Sequence, residues 1–151
     1  MLSPLQLKNL AFEKVCLEVQ PSGTFEAMPQ LRQNLETAIV DADQRIYRLD
    51  LDLEIKIDPE KPFAYSGEVS AVGVFEVSPD FPDERLLQLV QVNGGSILYG
   101  AIRDMVLTIS GRSLKGGFLL PTLNFQEVLK ASTIATPVTG PGNLAVQQTK
   151  K

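Results

Sequence analysis

From Tyr47 to Ile57 the chain alternates without a break. Tyr47, Leu49, Leu51, Leu53, Ile55 and Ile57 are apolar, and Arg48, Asp50, Asp52, Glu54 and Lys56 between them are all charged. A period of two marks a strand with one buried and one wet face, because successive side chains point to opposite sides of a sheet. Asp58-Pro59-Glu60-Lys61-Pro62 then supplies turn chemistry. Residues 63 to 77 return as a second β-rich run through Phe63, Tyr65, Val69, Val72, Val74, Phe75 and Val77. The short connection predicts an antiparallel hairpin. The phase of the second run slips near Gly73, which predicts a bulge there.

The N-terminal run is also strand-like. Val15, Leu17 and Val19 alternate with Cys16 and Glu18, and Leu5 and Leu7 alternate as well, but Leu10 and Phe12 fall on the opposite parity. A long strand with kinks or bulges accommodates both. Pro21-Ser22-Gly23 ends it. Residues 24 to 46 read two ways: Leu31, Leu35, Ala38 and Ile39 have helical spacing, and a short strand around Leu35 to Thr37 fits equally well. Pro79 to Pro82 breaks the sheet. Leu86, Leu87, Leu89, Val90 and Val92 come next as a short helix or an irregular piece.

Asn93-Gly94-Gly95-Ser96 reads as a helix entry with Ser96 as its N-cap, since a serine oxygen accepts from an orphan backbone N–H. Leu98, Ala101, Ile102, Met105 and Ile109 then form one stripe at helical spacing, with Val106 and Leu107 off it. Gly111 is placed to end the helix in a left-handed conformation. A helix apolar on more than one side needs more than one packing partner. The chain's own sheet is one, and a second subunit is the other we expect; the alternative cover is residues 1 to 46. Asn124 and Glu127 make a capping-box pattern, with Leu123 and Val128 spaced as a hydrophobic staple, for a short helix from Phe125 to about Thr133. The tail from Thr136 is rich in Pro, Gly, Thr and Gln and ends in Lys150-Lys151, so we expect a folded domain over 1–135 and a disordered tail over 136–151. Strands followed by helices make an α+β fold with helices on one face of an antiparallel sheet.

Composition narrows the chemistry. A length of 151 residues suits one domain. The net charge of −4 argues against nucleic acid, which needs a concentrated positive field. No window holds 18 uncharged apolar residues, so no membrane insertion is expected. No signal peptide is visible at Met1 to Leu10. A single cysteine, Cys16, cannot close an internal disulfide and fits a reducing cytoplasm. There is no histidine, which removes Ser-His-Asp and Cys-His catalysis and His-based zinc sites. No phosphate loop ending in Gly-Lys-Ser/Thr occurs. Paired carboxylates remain as candidate catalysts, but most acids alternate with apolar residues along a strand and read as a solvated face. The expectation is therefore a binding protein, not an enzyme, with no cofactor and no metal.

The run Ser96-Ile97-Leu98-Tyr99-Gly100-Ala101-Ile102-Arg103-Asp104, then Ser110-Gly111-Arg112, then Leu120-Pro121-Thr122-Leu123-Asn124-Phe125, resembles the SecB family of export chaperones. Glu68-Val69 with Gly73 and Phe75 is similar to that family's third strand, Ile46-Tyr47 to the start of its second, and Leu7 to Pro21 to its first. The resemblance extends from about Leu5 to Leu129. Gly95 and Gly100 depart from it, standing where the family usually has proline. The family's acidic tail is also absent, and Lys14 occupies a position where an acid is common.

The resemblance implies a four-stranded antiparallel sheet with helices packed on one face. It also implies a cytoplasmic dimer of dimers with helices in the interface and hydrophobic grooves that hold unfolded polypeptide in extended form, without ATP. Tyr65, Val69, Phe118, Leu120, Phe125 and Leu129 are the groove residues it suggests. Leu98, Ile102, Met105, Val106 and Ile109 are the oligomer interface we expect. Glu18 and Glu68 are the acids that the resemblance implies for docking the translocase ATPase SecA, with Lys14 placing a positive charge among them. Alternatives are a chaperone dedicated to one client, such as an antitoxin, an assembly or structural module with the same fold, and a small-molecule binder with an apolar pocket between helix and sheet.

Overall fold

The alternating run becomes β3 (Ile46–Lys56), the second strand of a hairpin with β2 (Gln30–Asp41) and the first of another with β4 (Tyr65–Val77). The computed structural model describes residues 1–135, with side chains to residue 130. With β1 (Leu5–Val19) the strands form one antiparallel sheet in the order β1-β4-β3-β2. The expected tail over 136–151 lies outside the described residues.

The register explains the apolar set. Tyr47 pairs with Phe75, Leu49 with Gly73, Leu51 with Ala71 and Leu53 with Val69, so the buried residues of both strands share one face. On β1 the register shifts twice, between Leu7 and Asn9 and between Phe12 and Lys14. Each extra residue flips the parity of the strand beyond it. Leu5, Leu7, Leu10, Phe12, Val15, Leu17 and Val19 are thereby all opposite inner-face positions of β4. The expected bulge at Gly73 is not there: β4 runs regularly, and Val72 and Val74 point to the outer face opposite Asp50 and Arg48. The glycine has a different cause. A Cβ at position 73 would lie 2.7 Å from Phe75 and 2.8 Å from Leu98, so its absence lets the helix close onto the sheet. The ambiguous segment is strand over Gln30–Asp41, longer than the short piece considered. Its alternation is weak because it is an edge strand with both polar and apolar residues on its inner side.

One unbroken helical run covers the inner face. A 3-10 turn (Asp83–Arg85) leads into α1 (Leu86–Leu89), a π-turn (Val90–Gly94) and α2 (Gly95–Ser110). Ser96 is therefore inside the run and not at its start; its hydroxyl donates back to the Val92 carbonyl at 2.7 Å. Gly111 ends α2 in the right-handed region (φ −59°, ψ −19°), not the left-handed one. Gly94 and Gly95 survive inside a helix because both are buried against side chains: a Cβ on Gly95 would meet Phe125 at 2.7 Å. Leu98, Ile102 and Val106 are fully buried, each worth about 1.5–3 kcal/mol of transfer energy. Residues 116–124 then run without regular secondary structure, outside the sheet, and α3 (Phe125–Ala135) comes after them. Asn124 caps α3 by accepting from the Gln126 N–H at 3.0 Å. Glu127 turns to Lys130 at 3.2 Å, so only half of the capping box forms. Leu123 and Val128 both pack against the core.

Candidate functional site

At the end of the sheet where β1 and β3 finish and β4 begins, four rings gather from three separate pieces of chain. Tyr65 opens β4, Phe63 precedes it, Phe118 comes from the 116–124 segment and Phe25 from the β1–β2 loop. Phe63 and Phe118 meet edge-on with centroids 4.7 Å apart, and Tyr65 stacks on Phe118 at 6.3 Å. Phe25 touches all three, at 5.8, 6.0 and 6.5 Å. Three of the rings are buried, and Phe25 is 48% exposed. Such edge and offset contacts add to the area the rings remove from water.

Polar bonds position the pieces. The Tyr65 hydroxyl donates to the Gly116 carbonyl at 2.5 Å. The Phe118 N–H donates to Ser110 Oγ at 2.8 Å, at the last residue of α2. Further along, Arg103 Nε donates to the Leu120 carbonyl at 3.0 Å and the Tyr99 hydroxyl to the Pro121 carbonyl at 2.5 Å. Burial pushes the Tyr99 hydroxyl up to about 12, with the Arg103 charge opposing it weakly. Lys115 reaches across to the β1–β2 loop and donates to the carbonyls of Pro21 at 3.1 Å and Gly23 at 2.5 Å.

The six residues expected in a groove do not gather in one place. Tyr65 and Phe118 belong to the ring cluster. Phe125 packs with Tyr99 at 5.9 Å, beside Gly95 and Leu35. Val69 and Leu120 are core residues, and Leu129 on α3 is half-buried. Tyr65, Val69, Phe118, Leu120 and Phe125 are all buried within the chain itself. Among the apolar side chains turned outward on the two loops are Phe25, Met28, Leu114 and Leu119. Sequence reasoning passed over these four. Their signal was large apolar residues within segments otherwise marked as turns by proline and glycine.

The interface candidates divide in the same way. Leu98, Ile102 and Val106 face the chain's own sheet and have no surface left for a second copy. Met105 and Ile109 are half-buried and continue a stripe with Ile97 and Ala101 at i, i+4 spacing. That stripe lies on the flank of α2 away from Tyr99 and Arg103. The inner side of β1, an edge strand, is also incompletely covered: Leu7, Leu10 and Val15 are exposed.

The outer face of the sheet is a mosaic of ion pairs. Lys14 bonds the carboxylate of Glu68, and this hydrogen bond raises the Lys14 pKa above its ordinary value. Lys8 pairs with Glu76 at 3.4 Å, and Arg48 with Asp50 at 2.8 Å and Glu13 at 3.1 Å. Glu18 is exposed opposite Ser66. Of the two acids expected to dock a partner, Glu68 is thus paired with Lys14 and Glu18 is not paired with a lysine or arginine among the described residues. Among the described residues no cluster of acids and cysteine is arranged to hold a metal, and no helix is long and apolar enough to cross a membrane.

Sheet, long covering helix and a ring cluster bridged by the 116–124 segment define an α+β scaffold with apolar surface beside one end of the sheet. The profile of the family described as preprotein translocase subunit SecB matches residues 2–135, and the chain belongs to that family. Among its relatives are the protein-export protein SecB of Psychrobacter cryohalolentis, 25% identical over 92% of this chain and 93% of that one, and that of Magnetococcus marinus, 26% identical over 82% and 78%. The fold matches a SecB-like chaperone from Mycobacterium tuberculosis, solved in complex with a ChAD peptide from an antitoxin. The TM-score is 0.61 at 14% identity, over 80% of this chain and 91% of that one.

Proposed function

We propose that this protein is a holdase in protein export: it binds unfolded polypeptide on apolar surface, without ATP, and passes it on. The observation that carries the reading is the outward-turned apolar set Phe25, Met28, Leu114 and Leu119 on the two loops that hold the ring cluster. Exposing such groups to water has a cost that binding of an apolar segment removes. Flexible aliphatic and aromatic contacts accept many sequences, which suits a chaperone of many clients. The relatives named as export proteins support the export setting.

Assembly is part of the proposal. The stripe Ile97, Ala101, Met105 and Ile109, with the free edge and exposed inner side chains of β1, is the surface we assign to further copies, in a cytoplasmic dimer of dimers. A long unpaired edge with apolar neighbours is an aggregation hazard unless another chain closes it. Glu18 and Glu68 on the outer face are the acids for a SecA-type recipient, with the Lys14 pair weakening that contact.

The test is dilution of a chemically unfolded protein into buffer with and without this one, monitored by light scattering, with the mass of the oligomer recorded alongside. Suppression near one oligomer per client without ATP is the expected result, and adding purified SecA should then bind the loaded oligomer. A folded protein that leaves aggregation unchanged would sink the general holdase reading. A dedicated chaperone would instead bind one peptide tightly and ignore the test protein.

A further inference from the structure

The ring cluster raises a problem for its own use. Phe63, Tyr65 and Phe118 are 4%, 1% and 8% exposed, so they offer a client almost no surface while Phe25 lies across them. Phe25 is the one ring of the four with half its surface in water, and it contacts all the others. A phenylalanine side chain therefore already sits where an apolar side chain from outside would fit, in an edge-on contact with Phe63 at 5.8 Å.

What holds Phe25 there is traceable. The start of its loop is tied to the chain before β4: the Gln20 N–H donates to the Ala64 carbonyl at 2.9 Å and the Thr24 N–H to that of Pro62 at 3.1 Å. Phe118 is anchored to α2 through Ser110 Oγ. The link between the Phe25 loop and the Phe118 segment is Lys115, whose ammonium bonds the Pro21 and Gly23 carbonyls, the latter two residues before Phe25. Among the described residues Lys115 forms no ion pair with a carboxylate, so these carbonyls are its partners. An ammonium spent on two backbone oxygens across more than 90 residues of sequence is a fastener between loops.

We propose that Lys115 is a positioning residue that latches Phe25 over the ring cluster, and that an aromatic or large aliphatic side chain of an unfolded client enters by displacing Phe25. The inference rests on the holdase reading and adds the entry step to it. A site that is competent only when its own ring has moved binds with an affinity reduced by the open fraction, so loosening the latch tightens binding. The two charge-assisted Lys115 bonds act on that fraction beside the backbone bonds of Thr24, whose N–H donates to Pro62 and whose carbonyl accepts from the Ala64 N–H at 3.1 Å.

The experiment uses the full chain in its native assembly and compares Lys115→Met with Lys115→Arg, which keeps a cationic donor. Amide exchange over 20–29 and 113–118 reads the latch without reference to any client. The probe for binding is a fluorescein-labelled unstructured peptide containing phenylalanine and leucine, with an alanine-substituted version as control. Lys115→Met should speed exchange in both segments and tighten the phenylalanine peptide by about three- to tenfold, mainly through faster association. Lys115→Arg should restore most of both, and the alanine peptide should show no gain. Unchanged exchange in Lys115→Met overturns the latch whatever the peptide does. Faster exchange with unchanged or weaker peptide binding overturns the gating, because the closed cluster would then be a platform and not a plug. Failure of the holdase reading would look different: no variant, wild type included, would bind the peptide at all.

Discussion

Met105 and Val106 are neighbours with opposite surroundings, and a charge at each should report a different thing. Val106 is 1% exposed and packed against the chain's own sheet, so Val106→Lys leaves an ammonium buried without a partner and should unfold the domain. Met105 lies on the half-exposed flank, so Met105→Lys should leave circular dichroism intact and lower the sedimenting mass. An unchanged mass in a folded Met105→Lys would remove this flank from the interface. Tyr99 carries a pH effect. Its hydroxyl holds its proton up to about 12 because it is buried, while in the unfolded chain it ionises near its ordinary value of 10.0. The unfolded state therefore loses the proton first. Stability is whole below pH 10 and falls as the pH rises from 10 to 12, by at most about 2–3 kcal/mol. Tyr99→Phe should be weaker at pH 8, by about 1 kcal/mol for the lost bond to the Pro121 carbonyl, yet flatter between pH 10 and 12 in urea midpoints.

The elements show why two glycines in one helix are not equivalent. A Cβ on Gly95 meets Phe125 at 2.7 Å and Leu35 at 3.3 Å, whereas a Cβ on Gly100 meets nothing within 4 Å. Gly95→Ala should cost about 1–3 kcal/mol by overpacking and loosen the start of α3, visible as faster proteolysis near Asn124. Gly100→Ala should gain about 0.5–1 kcal/mol, since alanine restricts the unfolded helix residue and clashes with nothing. If Gly95→Ala raised the melting temperature, Phe125 would not be the anchor of α3. These two positions were visible in the sequence as departures from the family's usual proline, but which of them was crowded depends on a ring thirty residues away.

For the whole molecule, apolar surface falls in three places. The inner face of β3 and β4 is filled by α2, the flank of α2 and the edge strand β1 keep apolar side chains partly in water, and the loops at one end carry the outward apolar residues. The outer face has the pattern of charges that keeps such a particle in water, with its acids largely paired to neighbouring lysine and arginine. Paired surface charges of this kind add little stability. A cationic surface brought to this face would meet acids whose charge is already balanced.

The alternation from Tyr47 to Ile57, the apolar return to Val77 and the stripe of α2 were legible because period 2 and period 3.6 are local properties, and each burial face needs only its own strand or helix to be written. The two parities of β1 were legible as a contradiction, and two bulges on β1 resolved it. The register opposite β4, the reason for Gly73 and the continuation of α2 back to Asp83 were not local. They arise where Leu98 meets a gap in β4, and where Gly94 and Gly95 meet Leu49 and Phe125. The residues expected in a groove show the same division. Their apolar character was readable one by one, while burial is a property of the assembled rings: Tyr65 and Phe118 became interior because Phe25, from a loop full of turn residues, covers them. Sequence carried the faces; tertiary packing chose which of those faces meets water, since exposure depends on neighbours far apart along the chain.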